Sequence, residues 1–315
     1  MPRRIVPEDC GKPKAAPERL SRIRGLRLRL QTDYIIIMLL KPTVAQCDFS
    51  FIVTTRNNTG ELVRTIKTLI AEAPDKSEMV IVDGSDSPLG EEWVVKNFVL
   101  KHIHLTYTLD KGKGAYPAMG LYAAMNDGIE SSLGSWLIIM TAGDCLEAKA
   151  KTLLESLRSE EKDVVVFAQN VVDQSGRVAF KHIPSAKSIW PHQSVVLRRQ
   201  VHEKEGLYPL NYRYGNEQYL FARIRKALPF IIRDEVLTAF YLGGITSQSS
   251  LAISRDVFAI RRHLGHGVVS SFVRSYITPP VRFNLERSAL FRPLATLIRR
   301  RLLSNYGKPN VRREK

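Results

Sequence analysis

From Asp48 onward, short apolar runs alternate with stretches of helical period, and this alternation narrows the folds open to the chain. The run "FSFIVTT" (49–55) is followed by "GELVRTIKTLIAEA" (60–73), which sets Leu62, Ile66, Leu69 and Ile70 on one helical face. Further strand-like runs are "EMVIVDG" (78–84), "HIHLTYTL" (102–109), "WLIIM" (136–140) and "DVVVFAQ" (163–169). Helical patterns cover 118–133 and 150–158. A strand buried on both faces reads as an unbroken apolar run, and such strands joined by helices form βαβ units. The expected class is therefore α/β, a mostly parallel sheet with helices on both faces.

In open α/β sheets, ligands gather at the carboxyl ends of the strands. Here those ends read Thr55-Arg56-Asn57-Asn58, Asp83-Gly84-Ser85-Asp86, Asp110-Lys111-Gly112 and Thr141-Ala142-Gly143-Asp144. Gly and Asp are ordinary turn residues, so solvated turns account for part of this pattern. An acid at three of four tips also fits a ligand site. No GxxxxGK[ST] or GxGxxG follows the first strand, which removes the main support for P-loop and dinucleotide-binding readings. Asp83 and Asp86 are candidate acceptors for a base or ribose. Asp144 is a candidate ligand for a hard divalent cation, Mg²⁺ or Mn²⁺, which neutralises a departing diphosphate. The combination suits transfer from a nucleotide-activated donor.

Charge divides the chain into three parts. Residues 1–47 carry ten Lys/Arg against four Asp/Glu, 48–250 carry 23 against 24, and 251–315 carry fourteen against three. The centre is neutral and both ends are basic. The basic ends, an N-terminal extension and a helical tail, point to an anionic partner such as a membrane surface. In the tail, Leu290, Leu294, Leu297, Ile298 and Leu302 share one helical sector with Arg292, Arg299 and Arg300 outside it, the pattern of an interfacial helix. The run "YIIIMLL" (34–40) is too short to cross a hydrocarbon core, which takes about 20 residues. The three cysteines (Cys10, Cys47, Cys145) show no paired or ligand spacing, as expected in a reducing cytosol. Residues 1–37 read as a mispredicted start or a disordered extension, Met38 lying ten residues before Asp48.

The stretches "FSFIVTTRNN", "VIVDGSD", "DKGKGAYPAMGLYAAMNDGIESSLGSWLIIMTAGD", "PHQSVVLRR" (191–199), "GNEQYLFARI" (215–224) and "FYLGGITSQS" (240–249) come in an order that resembles family-2 glycosyltransferases of GT-A (Rossmann-like) fold. The likeness is closest to bacterial members that build exopolysaccharide and lipopolysaccharide, and it covers about 48–250. It implies an inverting enzyme that moves a sugar from a nucleoside diphosphate to a lipid-linked or oligosaccharide acceptor, in the cytoplasm at the inner face of the membrane. Carried over residue by residue, Thr55 and Arg56 lie near the nucleotide and Asp83 binds its base or ribose. Asn126 faces the donor sugar or diphosphate, Asp144 holds the cation, and His192 and Gln193 line the cleft. Glu217 is the general base. Lys111 and Lys113 face phosphate or solvent. Ala142 departs from the family's Asp-x-Asp turn, which leaves a single protein carboxylate for the cation.

Two alternatives stay open at this point. A sugar nucleotidylyltransferase shares the sheet type but needs a Gly-rich, Arg-containing loop that "TTRNNTGEL" does not supply. A basic nucleic-acid-binding protein would use the ends, yet the neutral centre and the lack of a binding module argue against nucleic acid as a partner.

Overall fold

A computed structural model describes residues 47–110, 120–173, 175–186, 188–242 and 251–277. The N-terminal extension, Lys111, Lys113 and the amphipathic stretch 288–307 lie outside the described residues. Strands β1 (Phe49–Thr55), β2 (Ser77–Asp83), β3 (Ile103–Leu109) and β4 (Trp136–Thr141) stand in the order β3-β2-β1-β4, all parallel. Helices α1 (Thr59–Glu72), α2 (Glu91–Asn97) and α3 (Gly120–Ser131) make the crossovers. Every residue of β1 and β2 is buried, which is why their sequences read as continuous strand signals.

The second half of the sheet is mixed. It comprises β5 (Cys145–Leu146), β6 (Val164–Val172), β7 (Val178–His182), β8 (Val195–Arg198) and β9 (Ile231–Tyr241). The order runs on from β4 as β8-β6-β9-β5, with β7 paired to β6. β8 is antiparallel to both β4 and β6, β6 is parallel to β9, and β5 is antiparallel to β9. Helices α4 (Ala150–Glu155), α5 (Arg199–Glu205) and α6 (Asn216–Ala227) connect these strands. Beyond β9 come α7 (Leu251–His263), α8 (Val268–Phe272) and a π-helical turn, Val273–Ile277.

Alternate residues of each strand feed two cores. Phe49, Phe51, Val53, Met79 and Ile81 pack with Leu62, Ile66 and Leu69 of α1 on one face. Ile52, Val80, Val82, Leu137 and Ile139 pack with Tyr122, Met125 and Ile129 of α3 and Leu220 and Ile224 of α6 on the other. Each fully buried side chain of this kind contributes about 1.5–3 kcal/mol.

This topology places a site. The chain leaves β1 for β2 and β3 on one side, then returns to β4 on the other, which makes the carboxyl ends of β1 and β4 a topological switch point, the place where open α/β sheets bind ligands. The strand tips are tied together there. Gly84 N–H donates to Thr55 O (2.9 Å), Ala142 N–H to Thr54 O (2.9 Å), and Asp110 N–H to Asp83 O (3.0 Å).

Candidate active site

The turn after β4 is held from three directions. Thr141 N–H donates to Asp144 Oδ2 (2.7 Å) and Asp144 N–H to Thr141 O (2.9 Å). Thr65 of α1 links Gly143 N–H (2.9 Å) to Asp144 O (2.8 Å) through its hydroxyl. β5 follows at once and pairs Cys145 with Ala239 and Leu146 with Thr238. Gly143 is needed twice over. Its φ is +107°, and a Cβ there would lie 2.5 Å from Glu61 Oε2.

Asp144 is buried at 4% exposure and forms no salt bridge among the described residues. Burial pushes its pKa up to about 7 and Glu61 adds to the rise, while bonds from Thr141 N–H and the Gln193 side chain hold it back. A buried carboxylate beside a second acid, with no cation of its own among the described residues because Arg64 pairs Glu61 (2.8 Å), is an environment that a bound cation relieves. Among the described residues no cluster of three or more His, Cys, Asp or Glu is arranged to hold a metal. A Mg²⁺-like ion needs no such cage, because one or two carboxylates with substrate phosphates and water suffice. The residues present therefore fit a cation carried mainly by Asp144.

From Asp144 a continuous series of contacts crosses to Glu217. Gln193 bonds Asp144 and accepts from Gln169 Nε2 (3.0 Å), which also reaches Thr238 Oγ1 (3.2 Å). His192, the neighbour of Gln193, meets Tyr208 OH through Nε2 (2.8 Å), with its ring 5.7 Å from Phe221. Burial, with His202 nearby, lowers the His192 pKa to about 4, so the imidazole is neutral near pH 7. The Tyr208 ring lies 5.9 Å from that of Tyr122, whose hydroxyl donates a short hydrogen bond to Glu217 Oε2.

Glu217 sits in the first turn of α6, where the helix dipole favours a negative charge. Burial is the larger effect. It raises the Glu217 pKa against the bonds from Tyr122, its own backbone and Gln218. The same burial, together with the Glu217 charge, holds the Tyr122 and Tyr208 hydroxyls well above their usual range, so both stay protonated donors.

The other expected residues lie on the β1–β2 side. Thr55 ends β1 and is buried, and Arg56 is exposed beside Asp86 at 3.7 Å. Asp86 and Asn57 exchange two hydrogen bonds, Asn57 Nδ2 to Asp86 Oδ2 (2.8 Å) and Asp86 N–H to Asn57 Oδ1 (2.9 Å). Asp83 is buried, yet bonds from Ser85, Tyr107 and Leu89 N–H outweigh that burial and hold its pKa low. Asn126, expected to face the donor, lies on α3. Both ends of its amide are engaged by Tyr208, Nδ2 to the carbonyl (2.9 Å) and Oδ1 to the N–H (3.0 Å), so it fixes the segment that carries Tyr208.

Glu61, Tyr122, Gln169 and Tyr208 were not singled out from the sequence. Tyr122 carried a signal: it shares the buried helical face of Met125 and Ile129, and a phenol there needs a polar partner. Glu61 stands in the first turn of the helix that follows β1, next to the switch point.

The sequence model described as glycosyl transferase family 2 matches residues 50–228, more than half of the chain. The chain belongs to this family. No curated protein is a detectable relative of this glycosyltransferase by sequence. Solved structures resemble it in fold. Residues 1–349 of S. aureus TarS share 13% identity at a TM-score of 0.55, covering 78% of this chain and 77% of that one. The TarS complex with UDP-GlcNAc gives 14%, 0.53, 78% and 78%. The mannosyltransferase PcManGT from Pyrobaculum calidifontis, in complex with GDP-Man and Mn²⁺, gives 14%, 0.52, 85% and 85%. At these identities the likeness is one of fold, the GT-A arrangement of helices about a curled, partly parallel sheet. The enzyme is a transferase.

Proposed function

We propose that the chain is an inverting, hexosyltransferase-like enzyme that moves a sugar from a nucleoside diphosphate to a lipid-linked glycan in cell-surface polysaccharide biosynthesis. The observation that supports this best is the pair of carboxylates, Asp144 and Glu217, linked through Gln193, His192, Tyr208 and Tyr122. The TarS complex with UDP-GlcNAc and the PcManGT complex with GDP-Man and Mn²⁺ support a nucleotide-sugar donor and a divalent cation here.

When bound at Asp144, Mg²⁺ or Mn²⁺ would offset the charge of the departing diphosphate. Glu217 takes the proton of the acceptor hydroxyl on the opposite face of the sugar. Its burial raises basicity, and the Tyr122 hydroxyl holds the carboxylate in one orientation. His192 stays neutral and with Gln193 lines the cleft between the two acids. Thr55, Arg56, Asp83 and Asp86 form the nucleoside side, and Lys111 is assigned to phosphate. Hydrolysis of UDP-, GDP- and dTDP-sugars with Mn²⁺ tests the reading. One donor class should be hydrolysed faster with the cation. Failure to hydrolyse or bind any of them would count against it.

We also propose that the enzyme is cytoplasmic and peripheral at the inner face of the membrane. Among the described residues no helix is long and apolar enough to cross a membrane. The segment 268–277 is turned inside out: Val268, Val269, Phe272, Val273 and Ile277 are exposed, while Ser271 and Ser275 are buried. Arg261, Arg262 and Arg274 gather around His266 beside it, and no Asp or Glu occurs from 257 to 277. An apolar face in a basic surround suits anionic lipid. Val269→Asp with Phe272→Asp should reduce sedimentation with phosphatidylglycerol vesicles about tenfold and leave donor hydrolysis intact. Undiminished sedimentation would remove this face from the account.

A further inference from the structure

Helix α7 starts at Leu251, beyond the end of the family match, yet it closes on the loop that leads into α6. Asp256, at 5% exposure, accepts with one oxygen from two consecutive backbone groups, Arg213 N–H (2.9 Å) and Tyr214 N–H (3.2 Å). Four residues on, Ile260 lies beneath Gly215, where a Cβ would be 3.1 Å from Ile260 Cδ1. Three residues further, His263 Nδ1 meets Tyr212 OH (2.6 Å), and its ring packs 5.8 Å from Tyr219. This spacing puts Asp256, Ile260 and His263 on one face of α7.

The loop so held is the one that sets Glu217. Gly215 has φ +81°, and its N–H donates to Tyr122 OH (3.0 Å), the hydroxyl that in turn donates to Glu217. A shift of residues 213–215 therefore moves the Tyr122 hydroxyl's second partner and the start of α6 together. Bonds from N–H groups to a carboxylate are charge-assisted and stronger than neutral ones, so Asp256 is the firmest of the three contacts.

We propose that Asp256 is a positioning residue for the reaction, holding the 213–214 backbone so that Gly215, Tyr122 and Glu217 keep the arrangement in which Glu217 accepts the proton. The inference rests on the reading of Glu217 as the base. It adds that a helix outside the family match belongs to the catalytic scaffold.

The test uses the full chain and whichever of UDP-GlcNAc and GDP-mannose it hydrolyses with Mn²⁺, with water in place of the acceptor hydroxyl and giving its proton to Glu217. Hydrolysis and binding of the matching nucleoside diphosphate are measured for Asp256→Ala, Asp256→Asn, Glu217→Gln and the Asp256→Ala/Glu217→Gln double variant. Asp256→Ala should lower kcat by up to about 10²-fold, the scale of a misplaced catalytic group, with nucleotide affinity unchanged. Asp256→Asn keeps an acceptor oxygen and should restore most of the rate. Because Asp256 acts through Glu217, its removal should cost nothing further in the Glu217→Gln background.

A folded Asp256→Ala protein with wild-type kcat would overturn the inference, as would the same loss recurring in full on Glu217→Gln. Glu217→Gln retaining full turnover would overturn the base reading and this inference with it. An inactive Glu217→Gln beside a fully active Asp256→Ala would overturn this inference alone. If Asp256→Ala does not fold, Ile260→Ala removes the support beneath Gly215 and should show the same split, lower kcat at unchanged affinity. Wild-type kcat in that variant would overturn the proposal.

Discussion

Asp144→Asn is expected to lower turnover by at least about 10³-fold, equivalent to about 4 kcal/mol of transition-state stabilisation, while the protein remains folded. On the proposed reading the loss follows from its place just after β4, at the switch point, where its carboxylate would hold the cation that meets the diphosphate. The fold should survive because asparagine keeps an oxygen for Thr141 N–H and no salt bridge is broken. Removing the charge also removes the desolvation that raises the Asp144 pKa. Circular dichroism and a thermal melt establish folding, and hydrolysis with Mn²⁺ gives the rate. Near-normal turnover by a folded variant would remove Asp144 from the cation site.

Glu217→Gln is expected to slow transfer by about 10²–10⁴-fold, the usual worth of a positioned general base. Glutamine preserves shape and can still accept from Tyr122, so α6 and the Tyr122–Gly215 bond should persist. What is lost is the capacity to take a proton. The pH profile should carry the same assignment. A base works only when deprotonated, and burial raises the Glu217 pKa, so the rate should rise with pH through a limb above the usual carboxylate range. The part of that limb set by Glu217 should be absent from the residual rate of Glu217→Gln, which keeps only the contribution of Asp144, itself pushed up to about 7. An unchanged rate and profile would return Glu217 to a helix-terminal acid whose charge the dipole favours.

The parallel half of the fold was legible because strands buried on both faces keep an unbroken apolar centre, Phe51–Val53 in β1 and Met79–Val82 in β2. The mixed half was harder to read. β8 has four residues, β7 is largely exposed, and β9 carries Arg233, Asp234 and Glu235 in its first half. β9 also meets β6 with register shifts at Phe167/Ala168 and Ala168/Gln169, so no regular alternation marks it. Helix α2, at seven residues, was too short to show a period.

The site divides in the same way. The Asp144 turn is local, and a strand ending in Gly-Asp announces it. The Tyr122–Glu217 bond joins residues 95 apart, and the Asp256 bonds to the 213–214 backbone span more than 40. Such pairings are set by how α3, α6 and α7 pack, which no short pattern encodes. Asn126 joins the two: its place in "AMNDG" is local, while the Tyr208 backbone that its amide engages lies 82 residues away and is set by packing against α3.

The central claim is a division of labour, with Asp144 serving the leaving diphosphate and Glu217 the acceptor. Calorimetric titration of the matching nucleoside diphosphate, with and without Mn²⁺, into the two variants tests it most directly. The account predicts that Glu217→Gln binds as tightly as the wild type and that Asp144→Asn loses the Mn²⁺-dependent part of the affinity. Intact Mn²⁺-dependent binding by Asp144→Asn, or its loss in Glu217→Gln, would contradict the account.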